Sequence, residues 1–147
     1  MALARGSVVR VDNPTGVCID RDGNILVCSC RTPSVHVFWP DGFPARTFGA
    51  PRAEFGPDQL KYPYGIALDA DGNIVVADQD NHRVQVFRPD GAFVRSFGSR
   101  GSGAGQMNRP VGVTVDREGN ILVSEHGNHR VQVFRVDGSL VRSFGSR

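Results

Sequence analysis

Residues 62–98 read YPYGIALDADGNIVVADQDNHRVQVFRPDGAFVRSFG and recur at 109–145 as RPVGVTVDREGNILVSEHGNHRVQVFRVDGSLVRSFG. A looser copy occupies residues 13–49. Pro14, Pro63 and Pro110 stand 49 and 47 residues apart, and the same two intervals separate Asp20, Asp69 and Asp116, then Phe48, Phe97 and Phe144. Spacing inside the units agrees, so the two-residue difference falls in the connectors. Self-similarity at such a period marks stacked modules, each unable to bury its apolar surface alone.

Each unit divides into four short β-prone segments, in the second about residues 65–68, 74–77, 84–87 and 93–97. Asp71-Gly72 and Asp90-Gly91 separate the first pair and the last pair, and both dipeptides are hairpin signals. Asp22-Gly23, Glu118-Gly119, Asp41-Gly42 and Asp137-Gly138 hold the matching places. No segment carries a helical period, so the fold class is all-β, an antiparallel meander in every unit. The runs NIVVAD and GVTVD are nearly continuous in apolar residues, which requires the sheets to be covered on both faces. Four-stranded sheets packed face to face around an axis meet that requirement, as in a β-propeller. Phe38, Phe87 and Phe134, with Phe48, Phe97 and Phe144, are then expected to fill the wedges between blades.

The pattern P-x-G-[IV]-x-[LV]-D-x-[DE]-G-N-I-[LV]-V, followed by N-H-R-V-Q-V-F, a D-G turn and S-F-G, closely resembles the NHL repeat. It divides the chain into an N-terminal strand or partial blade (1–12), a divergent first repeat (13–61), a second (62–108) and a third (109–147). The first repeat departs at residues 28–34, CSCRTPS, where the others carry an acidic residue and N-H-R. The resemblance implies a six-bladed ring, of which three blades are half. Either two copies complete the ring as a homodimer, or the chain is a fragment of a longer one.

Net charge is +2, so the chain as a whole is no obvious polyanion binder, yet 16 of its 17 cationic side chains are arginine, with Lys61 the exception. No apolar run approaches the ~18 residues of a membrane span, and MALARGSVVRV lacks a signal-peptide pattern. The expectation is a cytoplasmic protein with no membrane partner. Cys18, Cys28 and Cys30 fall in the first unit alone, an odd count without zinc-site spacing, and read as small buried thiols. No cofactor is expected.

In a four-strand meander the second-to-third loop and the blade connector share one face, and the D-G hairpins share the other. The varied loops at 31–33, 79–82 and 126–129, with connectors 50–62 and 99–109, form the candidate binding face. Tyr62, Tyr64, His82, Arg100, Arg109, His126 and His129 are its candidate binding residues, with Arg31, Arg52 and Lys61 beside them and Glu54, Asp58 and Asp80 against them. Basic side chains interleaved with aromatic ones suit single-stranded RNA or an acidic protein segment. Arg83 and Arg130 read instead as structural, paired across strands with Asp78 and Glu125. Acid and base disappear together in the first unit, where Ser29 and Ser34 replace them. The D-x-[DE]-G-N runs lack the glycine position and the distant glutamate of a calcium loop and read as hairpin turns.

No Ser/His/Asp set, Cys/His pair, paired carboxylates or metal-ligand cluster emerges, and none of those chemistries is expected. The reading is a non-catalytic scaffold presenting a loop face to a protein or RNA. The resemblance implies the substrate-recruiting region of tripartite-motif ubiquitin ligases, although no RING or B-box pattern lies within this chain. The alternative is a fragment of a metal-dependent propeller lyase or hydrolase.

Overall fold

A computed structural model describes residues 10–49 and 59–145. The strand expected at residues 7–11 lies, apart from its last two residues, outside that range, as do most of the connector 50–62 and its Arg52, Glu54 and Asp58.

Three four-stranded antiparallel sheets form the molecule. The first contains β1 (Pro14–Ile19), β2 (Ile25–Ser29), β3 (Ser34–Phe38) and β4 (Pro44–Phe48) in that order. The second contains β5 (Pro63–Leu68), β6 (Ile74–Asp78), β7 (Arg83–Phe87) and β8 (Phe93–Phe97), and the third β9 (Pro110–Val115), β10 (Ile121–Glu125), β11 (Arg130–Phe134) and β12 (Leu140–Phe144). Inner strands start at their proline, two residues before the expected start, because a strand's first residue can do without a ladder N–H. Strands β6 and β7 extend to the acid–base positions, with Asp78 opposite Arg83. Residues 79–81 form one 3-10 turn between them.

The apolar run of the middle blade is covered on both faces, whereas GVTVD in β9 is half-buried with Thr114 exposed, because among the described residues no blade packs on the third blade's outer side. Every residue of β6 is buried. Ile74 and Val76 join Leu26, Cys28, Val35 and Val37 of the first blade in one core. Val75, alternating to the other side, joins Ile121, Val123 and Phe134 of the third blade in a second core. Two cores sandwich the middle sheet, as stacking around an axis demands.

The expected wedges form at both seams. Phe48 meets Phe87 with ring centroids 5.1 Å apart, and Phe97 meets Phe134 at 4.9 Å. Their outer copies differ: Phe38 is half-buried and Phe144 is exposed, since among the described residues no further blade packs there. Inner strands approach backbone to backbone. A Cβ on Gly65 would lie 2.6 Å from the Val111 carbonyl oxygen, which is why the repeat keeps glycine there.

The hairpins are longer than a two-residue turn. The Asp69 N–H donates to the Asn73 carbonyl at 2.9 Å and the Gly72 N–H to the Asp69 carbonyl at 3.0 Å. Gly72 has φ 83°, giving a type I turn closed by a left-handed residue. Asp69 Oδ1 accepts from the N–H groups of Asp71 and Asn73 at 2.9 Å each, and Asp20 and Asp116 repeat the arrangement. These carboxylates organise turns. At exposed Asp116 the Asn120 N–H bond holds the carboxyl below its ordinary range.

Candidate functional site: the loop face

Hydrogen bonds place each second-to-third turn against its own connector. The Gln79 and Asp80 N–H groups donate to the carbonyls of Tyr62 and Lys61, and those of His126 and Gly127 donate to the carbonyls of Arg109 and Asn108. Loops and connectors therefore share one face, with the D-G hairpins on the other.

Beneath this face lie two polar clusters that fix it. Asp78 Oδ1 accepts the Lys61 N–H at 2.7 Å, while Oδ2 accepts Asn81 Nδ2 at 2.8 Å and Arg83 Nε at 3.0 Å. Arg83 Nη2 donates onward to the Gln59 carbonyl at 2.8 Å. Burial pushes the Asp78 carboxyl up, against the hydrogen bonds and the guanidinium that pull it down. Glu125 repeats the plan with Arg130 at 2.7 Å, Asn128, the Asn108 N–H and Gln132 Nε2. Arg130 also reaches the carbonyls of Ser102, Gly103 and Gln106, stitching down the connector. These two arginines are consumed by structure. In the first blade Ser29 Oγ donates to the Asp12 carbonyl at 2.5 Å, and Ser34 Oγ to that of Thr32 at 2.8 Å.

Above the clusters, Arg109 stands between two histidines. Its N–H donates to His82 Nδ1 at 3.1 Å, and its carbonyl accepts the His126 N–H at 3.0 Å. Burial, then Arg100, lowers the His82 pKa, with smaller contributions from Arg109 and Lys61; Asp80 opposes them. All four charges lie within electrostatic reach of His82. Tyr62 stacks on Tyr64 with centroids 6.1 Å apart and planes 29° apart, and Tyr62 is 40 % exposed. Lys61, Arg100, Arg109, His126 and His129 are exposed. His82, Arg100, Arg109 and His126 thus gather where the second and third blades meet, while His129 sits on the third blade's own turn. Tyr62 and Tyr64 open the second blade on its first-blade side, where Thr15 Oγ1 donates to the Pro63 and Tyr64 carbonyls.

Two features escaped sequence reasoning. Asn13, Tyr62 and Arg109, each before an inner-strand proline, have φ of 54°, 61° and 54°, and His82 and His129 have 52° and 54°. Left-handed backbone at a bulky residue is strained. Its recurrence at matching positions makes it a property of the repeat, and the signal was the residue preceding each repeated proline. The first blade carries Pro33 where the others have His82 and His129, and proline cannot take that φ, so this turn differs. The second feature is a cleft of about 170 Å³ on the opposite, hairpin face, where Arg21, Arg46, Asp20 and Asp71 surround Leu26 and Val37. Each arginine there already donates to a carbonyl of the second blade.

Cys28 and Cys30 are buried and Cys18 is half-buried, all as free thiols; burial, with Asp20, pushes Cys18 up to about 11. They are poor nucleophiles. Among the described residues no three His, Cys, Asp or Glu side chains group as metal ligands, and no helix is long and apolar enough to cross a membrane.

The NHL repeat model matches residues 60–87 and 107–134. No curated protein sequence matches the chain. Among solved structures, virginiamycin B lyase from Staphylococcus aureus is similar over 95% of this chain and 43% of its own, at 18% identity and TM-score 0.73. A gluconolactonase, XC5397 from Xanthomonas campestris, is 24% identical over 98% of this chain and 50% of its own, with TM-score 0.71. A nidogen/laminin complex is 23% identical over 92% of this chain and 51% of its own, with TM-score 0.72. The chain spans about half the length of these proteins or less, and at such identities the likeness concerns the fold. With two repeats matched and the first blade built to the same plan, the chain belongs to the NHL-repeat β-propeller family.

Proposed function

We propose that the chain is a non-catalytic binding scaffold whose loop face takes single-stranded RNA. The observation that carries this reading is the stacked Tyr62–Tyr64 pair, its Tyr62 exposed and next to Lys61, on a loop face that also carries exposed Arg100 and Arg109, cations that the acid–base clamps leave available. Tyrosine faces offer stacking for bases of any sequence, worth about 1–3 kcal/mol per base, and the basic groups track phosphates. Arg100 and Arg109 suit bidentate phosphate contact. An acidic protein segment would use the same cations but gain little from the tyrosines. On either reading the chain recruits. If it serves a ubiquitin ligase, it does so as the substrate-binding part, with the transfer chemistry supplied by residues outside it.

Anisotropy titrations of a labelled single-stranded RNA across salt test this. Three cations at about 0.7 counterions each give a log–log slope near −2, so affinity drops about twentyfold between 50 and 200 mM salt. Tyr62→Ala weakens binding without changing that slope. Salt-insensitive affinity, or affinity unchanged by Tyr62→Ala, overturns the RNA reading. Binding of an acidic peptide but not RNA transfers the face to a protein partner. The rival reading is a fragment of a metal-dependent propeller lyase or hydrolase, and stoichiometric zinc or calcium in the purified chain would favour it.

A further inference from the structure

The structure contains its own template for what covers its two ends. At each seam the outer-strand phenylalanine of one blade seats on the hairpin glycine of the next. A Cβ on Gly91 would lie 2.9 Å from Phe48, and one on Gly138 lies 3.0 Å from Phe97. The third knob, Phe144, is 53 % exposed, and the third hole, Gly42, has nothing within 4 Å of the Cβ position.

Two further elements repeat in the same way. Arg46 donates to the Pro89 carbonyl and Arg95 to that of Val136; their third copy is Arg142, and the matching third carbonyl belongs to Pro40 in the first blade. On the inner strands Gly16 faces the Tyr64 carbonyl and Gly65 the Val111 carbonyl at less than contact distance. Near Gly112 only the Ser124 side chain of its own sheet lies within 4 Å.

Exposure follows this pattern. Among the described residues, the large exposed apolar ones are Val17, Ile19, Trp39 and Phe43 in the first blade, Phe144 in the third, and only Tyr62 in the second, whose β6 is buried throughout. Val17 is 66 % exposed where its counterpart Ile66 is 7 % exposed. A shallow groove of about 390 Å³ lined by Leu122, Val131 and Phe144 marks the outer face of the third blade. The matching face of the second blade, with Val75, Val84 and Phe97, is the one that covers its neighbour.

We infer that a second copy of this chain covers both ends, the Phe144 face of each copy docking on the Val17–Gly42 face of the other to close a six-bladed ring. Phe144 then seats over Gly42 against Phe38, and Arg142 reaches the Pro40 carbonyl. Both contacts are equivalent by twofold symmetry, and six blades fall within the four to eight that close.

Sedimentation equilibrium of the full chain across micromolar concentrations tests the inference, with circular dichroism as a control for folding. The expected species has about twice the 15.9 kDa chain mass. Phe144→Asp and Val17→Asp each change exposed residues, keep the monomer folded and reduce the mass to one chain. A Phe38→Cys, Phe144→Cys variant forms a dimer covalently linked across both seams on oxidation. A monomer at all concentrations, as expected if these faces belong to further blades of a longer polypeptide, overturns the inference. So does an open-ended ladder of masses, or a dimer indifferent to both aspartates.

Discussion

Replacing Arg130 by methionine strips the counter-charge from a carboxylate whose side chain is fully buried. The arginine side chain is itself only 13 % exposed, so solvent screens the pair little. Removing one partner from such a pair costs about 3–5 kcal/mol, because the remaining charge stays buried and uncompensated. That is a large share of the ~5–15 kcal/mol that holds a domain folded. At about 2–4 °C per kcal/mol for a chain of this size, the melting temperature falls by roughly 10 °C. The Ser102 carbonyl loses its Arg130 donor in the same step, and the Gly103 and Gln106 carbonyls keep only the Gln106 N–H and Gln132 Nε2. The double variant Glu125→Ser, Arg130→Ser installs the first blade's solution, in which both serines are hydrogen-bonded. It is expected to lose about 1–2 kcal/mol, less than Arg130→Met alone, giving a strongly non-additive cycle. Urea denaturation of the wild type, Arg130→Met, the single variants Glu125→Ser and Arg130→Ser, and the double variant measures this. A single-variant loss below about 1 kcal/mol, the value of an exposed pair, or simple additivity, refutes the clamp.

Other outcomes follow from the same geometry. Phe87→Ala removes a fully buried ring that meets Phe48 across the seam and Phe93 within its sheet, and is expected to cost about 3–5 kcal/mol by denaturation. His36 is buried, with Ser34 and Thr47 hydroxyls on its two ring nitrogens at 3.1 Å, and burial lowers its pKa. The unfolded chain takes up that proton near pH 6.5 and the folded chain resists it. Stability is therefore complete above about 6.5 and declines as pH falls through the folded pKa. His36→Gln, matching Gln85 and Gln132 in the other blades, should flatten melting temperature against pH in that window.

The repeat made most of the architecture legible. Equal intervals between Pro14, Pro63 and Pro110 defined the modules, and apolar runs such as NIVVAD required cover on both faces, which the two cores around β6 provide. Joint loss of acid and base in the first unit revealed the Asp78–Arg83 relation before any distance was known. Strand starts were less legible, since a proline that weakens a strand interior is tolerated at its first residue. The site was legible only as a face. That Arg109 lies between His82 and His126 depends on how a connector folds back over a neighbouring blade, and spacing along the chain does not encode that. Left-handed backbone at Tyr62 and Arg109 was equally hidden, because neither residue type favours it.

The central claim is that repeated residues build the scaffold and differing loop residues recognise a partner. Its most direct test is one preparation, Tyr62→Ala with Arg100→Glu and Arg109→Glu, measured for melting temperature and for affinity to single-stranded RNA. All three side chains lie on the loop face outside both cores. The account predicts at least a tenfold loss of affinity with the melting temperature within about 3 °C of the wild type, since surface changes cost little. Unchanged affinity, or a collapse in stability, would contradict it.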